Sequence, residues 1–137
     1  VPVITHPERL TWIEDNYAIF GRMVKSGAWM QITAGSLTGR FGARPKYWAE
    51  RIMDEGLCHI LATDSHHIKR RPPLLAEARD TAVKRLGRIE AEHLVVTRPQ
   101  GILDNKPPSE LPPLPSPIRI HSDKKGFWRS LLSDKKH

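Results

Sequence analysis

Two histidines and one aspartate stand where short apolar segments of the chain end. His6 follows the segment 3–5, and both Asp64 and His66 follow the apolar run 57–63. Asp64 and His66 are two residues apart, so in an extended segment their side chains point to the same side. A carboxylate and an imidazole there could share one metal ion or bind two neighbouring ions. His6 is expected to reach the same place if the segments are parallel strands, because sites assemble at the carboxyl ends of such strands.

Each of these three residues also has a simpler interpretation. A histidine after a strand is more often a hydrogen-bonded loop residue, and Asp-x-His is common in turns and helix caps. Spacing alone does not decide between a metal site and ordinary loop structure.

Serine or cysteine chemistry is not favoured. Cys58 lies early in the apolar run with no adjacent base, and it is expected to be a buried, small hydrophobic residue of a reducing compartment. Ser36 and Ser65 do not belong to a readable Ser-His-Asp pattern. Metal-activated water is therefore the more economical mechanism.

Several cations are candidates for binding an anion. Arg9 lies three residues after His6, Arg40 lies in the glycine-rich stretch 34–42, and a basic run covers 69–71. Arginine suits phosphate oxygens because its donors form a fork. The glycines match neither the Walker loop nor the dinucleotide fingerprint, so the stretch either binds an anion or simply connects a strand to a helix. The basic run has the alternative of a solvated loop.

Hydrophobic periodicity predicts alternating strands and helices over residues 1–105. The predicted strands are 3–5, 28–33 and 57–63, and the predicted helices are 10–26, about 45–56, 74–86 and 90–96. Pro99 is expected to open a last short turn. Short connections favour parallel strands with helices packed outside. Three strands do not close a barrel, so we expect an α/β body that is the C-terminal part of a larger TIM-like barrel.

Composition divides the chain of 137 residues into three parts. Residues 1–105 carry 15 basic against 12 acidic residues and form the predicted domain. Residues 106–117 include six prolines and are predicted to be an extended linker. Apolar residues make up 39%, which excludes wholesale disorder, and no apolar run reaches the about 18 residues that a membrane span needs.

The tail, residues 118–137, carries six basic against two acidic residues and is predicted to be disordered. Its segment 126–132 would place Phe127, Trp128, Leu131 and Leu132 on one helical face, which alternatively suits a membrane surface or a protein partner. Nucleic-acid binding is not favoured, because the basic residues of the body are scattered and no binding motif is recognisable.

Three blocks of sequence together are highly specific. They are Ile4-Thr5-His6-Pro7-Glu8-Arg9, the stretch from Ile32 to Gly42, and the stretch from Ala62 to Pro73. In this order they resemble the bacterial manganese-dependent protein-tyrosine phosphatases of the polymerase and histidinol phosphatase (PHP) superfamily, which act in capsule and exopolysaccharide synthesis. The resemblance runs from about residue 2 to residue 105.

The resemblance implies a distorted (β/α)7 barrel with metal ions at the carboxyl ends of its strands. It implies His6, Asp64 and His66 as metal ligands, and Arg9 and Arg71 as the groups that hold the substrate phosphate; Arg40 is a further candidate for that role. The implied metal is manganese, with magnesium, cobalt and zinc as alternatives. The implied reaction is hydrolysis of phosphotyrosine by metal-activated water.

The resemblance further implies a membrane tyrosine autokinase as substrate and partner. We therefore expect a cytoplasmic protein, with the inner membrane face as a second location if the tail binds lipid. Self-association is an additional expectation, because the three-stranded sheet has open edges.

One departure from the family pattern is large. The family's opening His-x-His motif and its upstream acidic and histidine ligands have no counterpart in residues 1–137. We therefore expect this chain to carry about half of a metal site and not to be catalytic alone. The alternative function is a non-catalytic remnant of the fold that binds a membrane or a protein partner through its basic tail.

Overall fold

Three parallel strands form the centre of the computed structural model, which describes residues 1–70 and 73–119. They are β1 (Val3–Thr5), β2 (Trp29–Thr33) and β3 (Ile60–Ala62), paired in the order β1-β2-β3. Thr5 pairs with Gln31, and Thr33 pairs with Ala62. The predicted α/β class with a parallel sheet is confirmed, whereas three strands do not by themselves form a barrel.

Helices connect and cover the strands. They are α1 (Ile13–Asn16), α2 (Ala18–Lys25), α3 (Ala34–Leu37), α4 (Ala43–Asp54), α5 (Ala76–Leu86), α6 (Arg88–Glu92) and α7 (Arg98–Leu103), with a π-helical turn at His93–Thr97 and 3-10 turns at Pro7–Arg9 and Pro108–Glu110. Within the described residues, none of these helices has the length and apolar character to traverse a bilayer.

The helices depart from the predicted ones in two places. The helix predicted over 10–26 is divided at Tyr17, and the glycine-rich stretch contains the short helix α3. As predicted, Pro99 lies in the first turn of a last short helix, α7. Proline has no N–H to donate to the preceding turn, and the wider π turn at His93–Thr97 directly precedes it.

The core lies between the sheet and the helices. Its fully buried large side chains include Ile13, Phe20, Met30, Ile32, Leu37, Ile52, Met53, Leu61 and Leu94. Burial of β2 is nearly complete, as expected for a parallel strand with neighbours on both sides. The core thereby holds the carboxyl ends of the three strands at one edge of the sheet.

The proline-rich segment lies against the body. Arg98 is fully buried and donates to the carbonyls of Pro112 at 3.1 Å and Pro113 at 2.8 Å. Further along, the N–H of Ile118 donates to the carbonyl of Asp54 at 2.9 Å. These carbonyls are available because an extended proline-rich chain makes few internal hydrogen bonds. The amphipathic segment 126–132 and the rest of the predicted tail beyond residue 119 lie outside the described residues.

Candidate active site

Two predicted site residues occupy strained turns at the carboxyl ends of outer strands. His6 follows β1 with φ 42°, and Asp64 comes two residues after β3 with φ 49°. This left-handed region is unfavourable for residues other than glycine, and such strain clusters at functional sites. The N–H of His6 donates to the carbonyl of Gln31 at 2.9 Å, which fixes the turn against β2.

Arg9 and Asp64 form the central contact of this edge. Nη1 of Arg9 donates to Oδ2 of Asp64 at 3.4 Å, and the side chains are 32% and 22% exposed. The 3-10 turn Pro7–Arg9 carries the arginine from the end of β1 toward the end of β3. A cation and a carboxylate thus lie together at the carboxyl edge of the sheet.

His66 is held by the backbone of Asp64. Its Nδ1 lies 2.6 Å from the carbonyl oxygen of Asp64 and 3.7 Å from the Oδ1 atom of the same residue. A carbonyl oxygen only accepts, so Nδ1 carries a proton and Nε2 is the ring nitrogen left for a metal ion. Metal-ligating histidines typically donate their second ring nitrogen to a carbonyl or carboxylate in this way. The donor chemistry of Asp64 and His66 therefore fits a divalent metal ion.

The three predicted ligands do not gather into one group. Among residues 1–70 and 73–119, no cluster of three or more histidine, cysteine, aspartate or glutamate side chains is arranged to hold a metal ion. The expected convergence of His6, Asp64 and His66 is therefore not seen. The carboxylate of Asp64 is directed to Arg9, and the ring of His66, 60% exposed, bonds to the backbone.

Glu8 is a buried carboxyl group behind this edge that the sequence interpretation missed. It is fully buried, and Oε1 accepts the N–H of Thr33 at 3.0 Å. Burial raises the pKa of Glu8, while the hydrogen bond from the Thr33 N–H acts in the opposite direction. The contact ties the turn that bears His6 and Arg9 to the end of β2. Its position in the first sequence block is the signal that could have identified it.

Phe41 is a second residue that was missed. The guanidinium carbon of Arg9 lies 4.6 Å from the centre of the Phe41 ring, within the range of a cation–π contact. Arg9 therefore contacts an aromatic face as well as a carboxylate.

The glycine-rich stretch uses much of its backbone internally. The N–H groups of Thr38, Gly39, Arg40 and Gly42 all donate to carbonyls within the stretch. The side chain of Arg40 is 43% exposed and lies 4.0 Å from Glu77. The observed partner of the Arg40 side chain is Glu77 and not a residue of the Arg9–Asp64 pair. The phosphate-binding role of Arg40 therefore stays a prediction.

The described part of the basic run, Lys69 and Arg70, is exposed. The Nδ1 atom of His67 accepts the N–H groups of Lys69 at 3.0 Å and Arg70 at 3.2 Å, which shapes the start of the run. Arg71, the second predicted phosphate ligand, lies outside the described residues.

Cys58 lies in the buried core. It is 3% exposed, and burial raises the pKa of its thiol to about 12. A thiol with that pKa is not a nucleophile near neutral pH, so the structure confirms the interpretation of Cys58 as a buried small residue.

These features define an α/β protein whose candidate active site lies at the carboxyl edge of a parallel sheet. A family model described as capsular polysaccharide synthesis, CpsB/CapC, matches residues 1–104. The chain belongs to this family.

Curated relatives carry related names. The tyrosine-protein phosphatase YwqE of Bacillus subtilis is 35% identical over 115 residues, which cover 84% of this chain and 45% of the relative. The tyrosine-protein phosphatase CpsB of Streptococcus pneumoniae is 30% identical over 107 residues, covering 74% and 44%. The putative tyrosine-protein phosphatase CapC of Staphylococcus aureus is 38% identical over 77 residues, covering 56% and 30%.

A solved structure is similar over most of the chain. It comes from crystal structures of YwqE from Bacillus subtilis and CpsB from Streptococcus pneumoniae, described as unique metal-dependent tyrosine phosphatases. The TM-score is 0.73 at 34% identity, and the match covers 87% of this chain and 47% of the other. The chain thus spans about half the length of this structure and less than half the length of the curated relatives named above.

Proposed function

We propose that this chain carries part of the active site of a metal-dependent phosphotyrosine-protein phosphatase. The observation that carries the proposal is the Arg9–Asp64 contact at the carboxyl edge of the sheet, with His66 held beside it. An arginine fork suits a phosphate dianion, and a carboxylate with an imidazole suits a divalent cation. The names of the relatives support the same reaction.

The site residues have two kinds of role in the proposed mechanism. Asp64, His66 and His6 supply the oxygen and nitrogen donors for metal ions, and Arg9 binds the phosphoryl oxygens of the substrate. Arg71 is proposed for the same phosphate-binding role. A divalent metal supplies a Lewis acid and lowers the pKa of a water molecule. We favour manganese, because the resemblance implies it.

The contact between Arg9 and Asp64 also indicates how the two proposed binding groups are placed. The guanidinium and the carboxylate lie 3.4 Å apart, so a metal ion on Asp64 and a phosphate on Arg9 would be neighbours. Asp64 would hold the cation and the guanidinium of Arg9 would bind the phosphate, so the two ligands would lie side by side. The positive charge of Arg9 would then stabilise the extra negative charge of the transition state.

We propose that the parallel sheet belongs to a distorted (β/α)7 barrel of which this chain forms the C-terminal part. The parallel order β1-β2-β3 and the placement of polar residues at the carboxyl ends support this arrangement. Further metal ligands would then come from residues outside 1–137, which accounts for the incomplete group in the described residues.

The proposed substrate is phosphotyrosine on a tyrosine autokinase of capsule or exopolysaccharide synthesis. The family description supports a role in capsular polysaccharide synthesis. The names of the relatives support phosphotyrosine as the group that is hydrolysed. We propose a cytoplasmic location for a phosphatase that acts on such a kinase. The alternative, a remnant that acts through its basic tail, depends on residues outside the described part of the chain.

The test measures hydrolysis of a phosphotyrosine peptide by the full-length protein that contains this chain. Turnover should disappear on chelation of divalent metal and return when Mn²⁺ is added. A phosphoserine peptide serves as the matched control and should be hydrolysed far more slowly. Turnover that survives complete removal of metal would contradict the proposal.

A further inference from the structure

Phe41 and Asp64 hold Arg9 from two directions. The ring of Phe41 lies 4.6 Å from the guanidinium carbon, and Oδ2 of Asp64 lies 3.4 Å from Nη1. A planar guanidinium that stacks on a ring keeps its edge available for hydrogen bonds. The ring thus supports the cation on one side, whereas the carboxylate contacts one of its terminal nitrogens.

The glycine-rich stretch is built to place this ring. A Cβ atom on Gly35 would come 2.8 Å from Cε2 of Phe41, so a side chain there would displace the ring. Gly39 and Gly42 have φ of +86° and +96°, which bends the backbone on both sides of Phe41. The N–H of Arg40 donates to the carbonyl of Gly35 at 2.8 Å and closes the turn. Positioning Phe41 therefore explains glycines that match no phosphate-binding fingerprint.

We propose that Phe41 is a positioning residue that holds the Arg9 guanidinium where it can bind the substrate phosphate. This inference rests on the proposed function, because it concerns the same phosphate site. The arginine side chain is long and a third exposed, so without the ring it would sample many conformations. Phosphate binding would then cost the conformational entropy of the Arg9 side chain, so the affinity for phosphate would be weaker.

The first test compares variants of the full-length protein that contains this chain, assayed with Mn²⁺. Phe41→Leu should raise KM for a phosphotyrosine peptide about threefold to tenfold, and should raise the inhibition constant of inorganic phosphate by the same factor. Phe41→Tyr keeps the ring and should restore both values. Trp12→Leu removes a partly exposed ring that stacks on Phe20 and is the matched control, with KM unchanged.

The decisive test is a double-mutant cycle. If Phe41 acts through Arg9, Phe41→Leu has no further effect on the phosphate inhibition constant when Arg9 is already alanine. Circular dichroism checks folding, and Phe41→Met provides a second variant without a ring if the leucine variant unfolds. Equal effects of Phe41→Leu in both backgrounds, or a tyrosine variant as impaired as leucine, would overturn the inference. Absence of turnover in the wild-type protein would instead contradict the proposed function itself.

Discussion

Arg9 and Asp64 join the two outer strands of the sheet across the strand that lies between them. They are 55 positions apart in the chain, and Nη1 of Arg9 meets Oδ2 of Asp64 at 3.4 Å. The order β1-β2-β3 makes this possible, because both residues follow the carboxyl ends of parallel strands. The fold therefore brings a cation and a carboxylate of distant sequence blocks to one place.

His59 should make the stability of the protein depend on pH. Its Nδ1 accepts the N–H of Met30 at 3.1 Å, and its ring stacks on Trp29. Burial, followed by the nearby charge of Arg98, lowers the pKa of His59 to about 4. The unfolded chain takes up this proton near pH 6.5, so its uptake favours unfolding as the pH falls from about 6.5 to 4. We expect a loss on the order of 1–3 kcal/mol over this window, and no further loss from His59 below it.

Urea denaturation at several pH values measures this effect. His59→Gln keeps a hydrogen-bond acceptor but does not titrate, so the free energy of unfolding should fall less steeply between pH 6.5 and 4. His93→Gln is the matched control, because His93 is only partly buried. Identical pH slopes for the wild type and His59→Gln would refute the assignment.

Arg98 should be essential for stability. It is fully buried and forms two bonds with the carboxylate of Glu90, at 2.7 and 3.2 Å, besides those to Pro112 and Pro113. Arg98→Ala leaves Glu90 without its main partner and frees the proline-rich segment. We expect a loss of about 3–5 kcal/mol of the free energy of unfolding, measured by urea denaturation.

A surface ion pair supplies the comparison for this variant. Arg79 lies 3.5 Å from Glu92, and both side chains are more than two-fifths exposed. Arg79→Ala should cost less than about 1 kcal/mol. Limited proteolysis should also cleave the segment 106–119 faster in Arg98→Ala than in Arg79→Ala. Equal stability of the two variants would show that the proline-rich segment is not held by Arg98.

Cys58 should be dispensable for the proposed reaction. Its pKa of about 12 and its burial leave no thiolate near neutral pH. Cys58→Ala should therefore retain phosphotyrosine hydrolysis in the full-length protein, and iodoacetamide should label the native wild-type thiol only after unfolding. Loss of turnover in a folded Cys58→Ala protein would indicate a cysteine mechanism.

The strands and most helices were predictable because local pattern and tertiary packing agree here. β1 was predicted with its observed bounds, and β2 with one extra residue. β3 was predicted too long, because the chain from Leu57 still closes the turn after α4, with its N–H bonded to the Ile52 carbonyl. The proline-rich segment was predicted to be extended, but its contacts with Arg98 depend on a distant buried charge that no local pattern reveals.

The candidate site was only partly predictable for a related reason. Residues whose types suggest chemistry, such as Asp64 and His66, are visible in the sequence. Glu8 and Phe41 are not, because glutamate is usually a surface residue and phenylalanine usually a core residue. Their roles arise from what they contact, the N–H of Thr33 and the guanidinium of Arg9.

The most direct test of the account is the Asp64→Asn variant of the full-length protein that contains this chain. Asparagine keeps the size of the side chain but removes the charge that the proposed metal ion and Arg9 both need. We expect the rate of phosphotyrosine hydrolysis to fall at least about a hundredfold. Elemental analysis should find less manganese bound to the protein, and the circular dichroism spectrum should be unchanged. Full turnover and full metal content in Asp64→Asn would contradict the account.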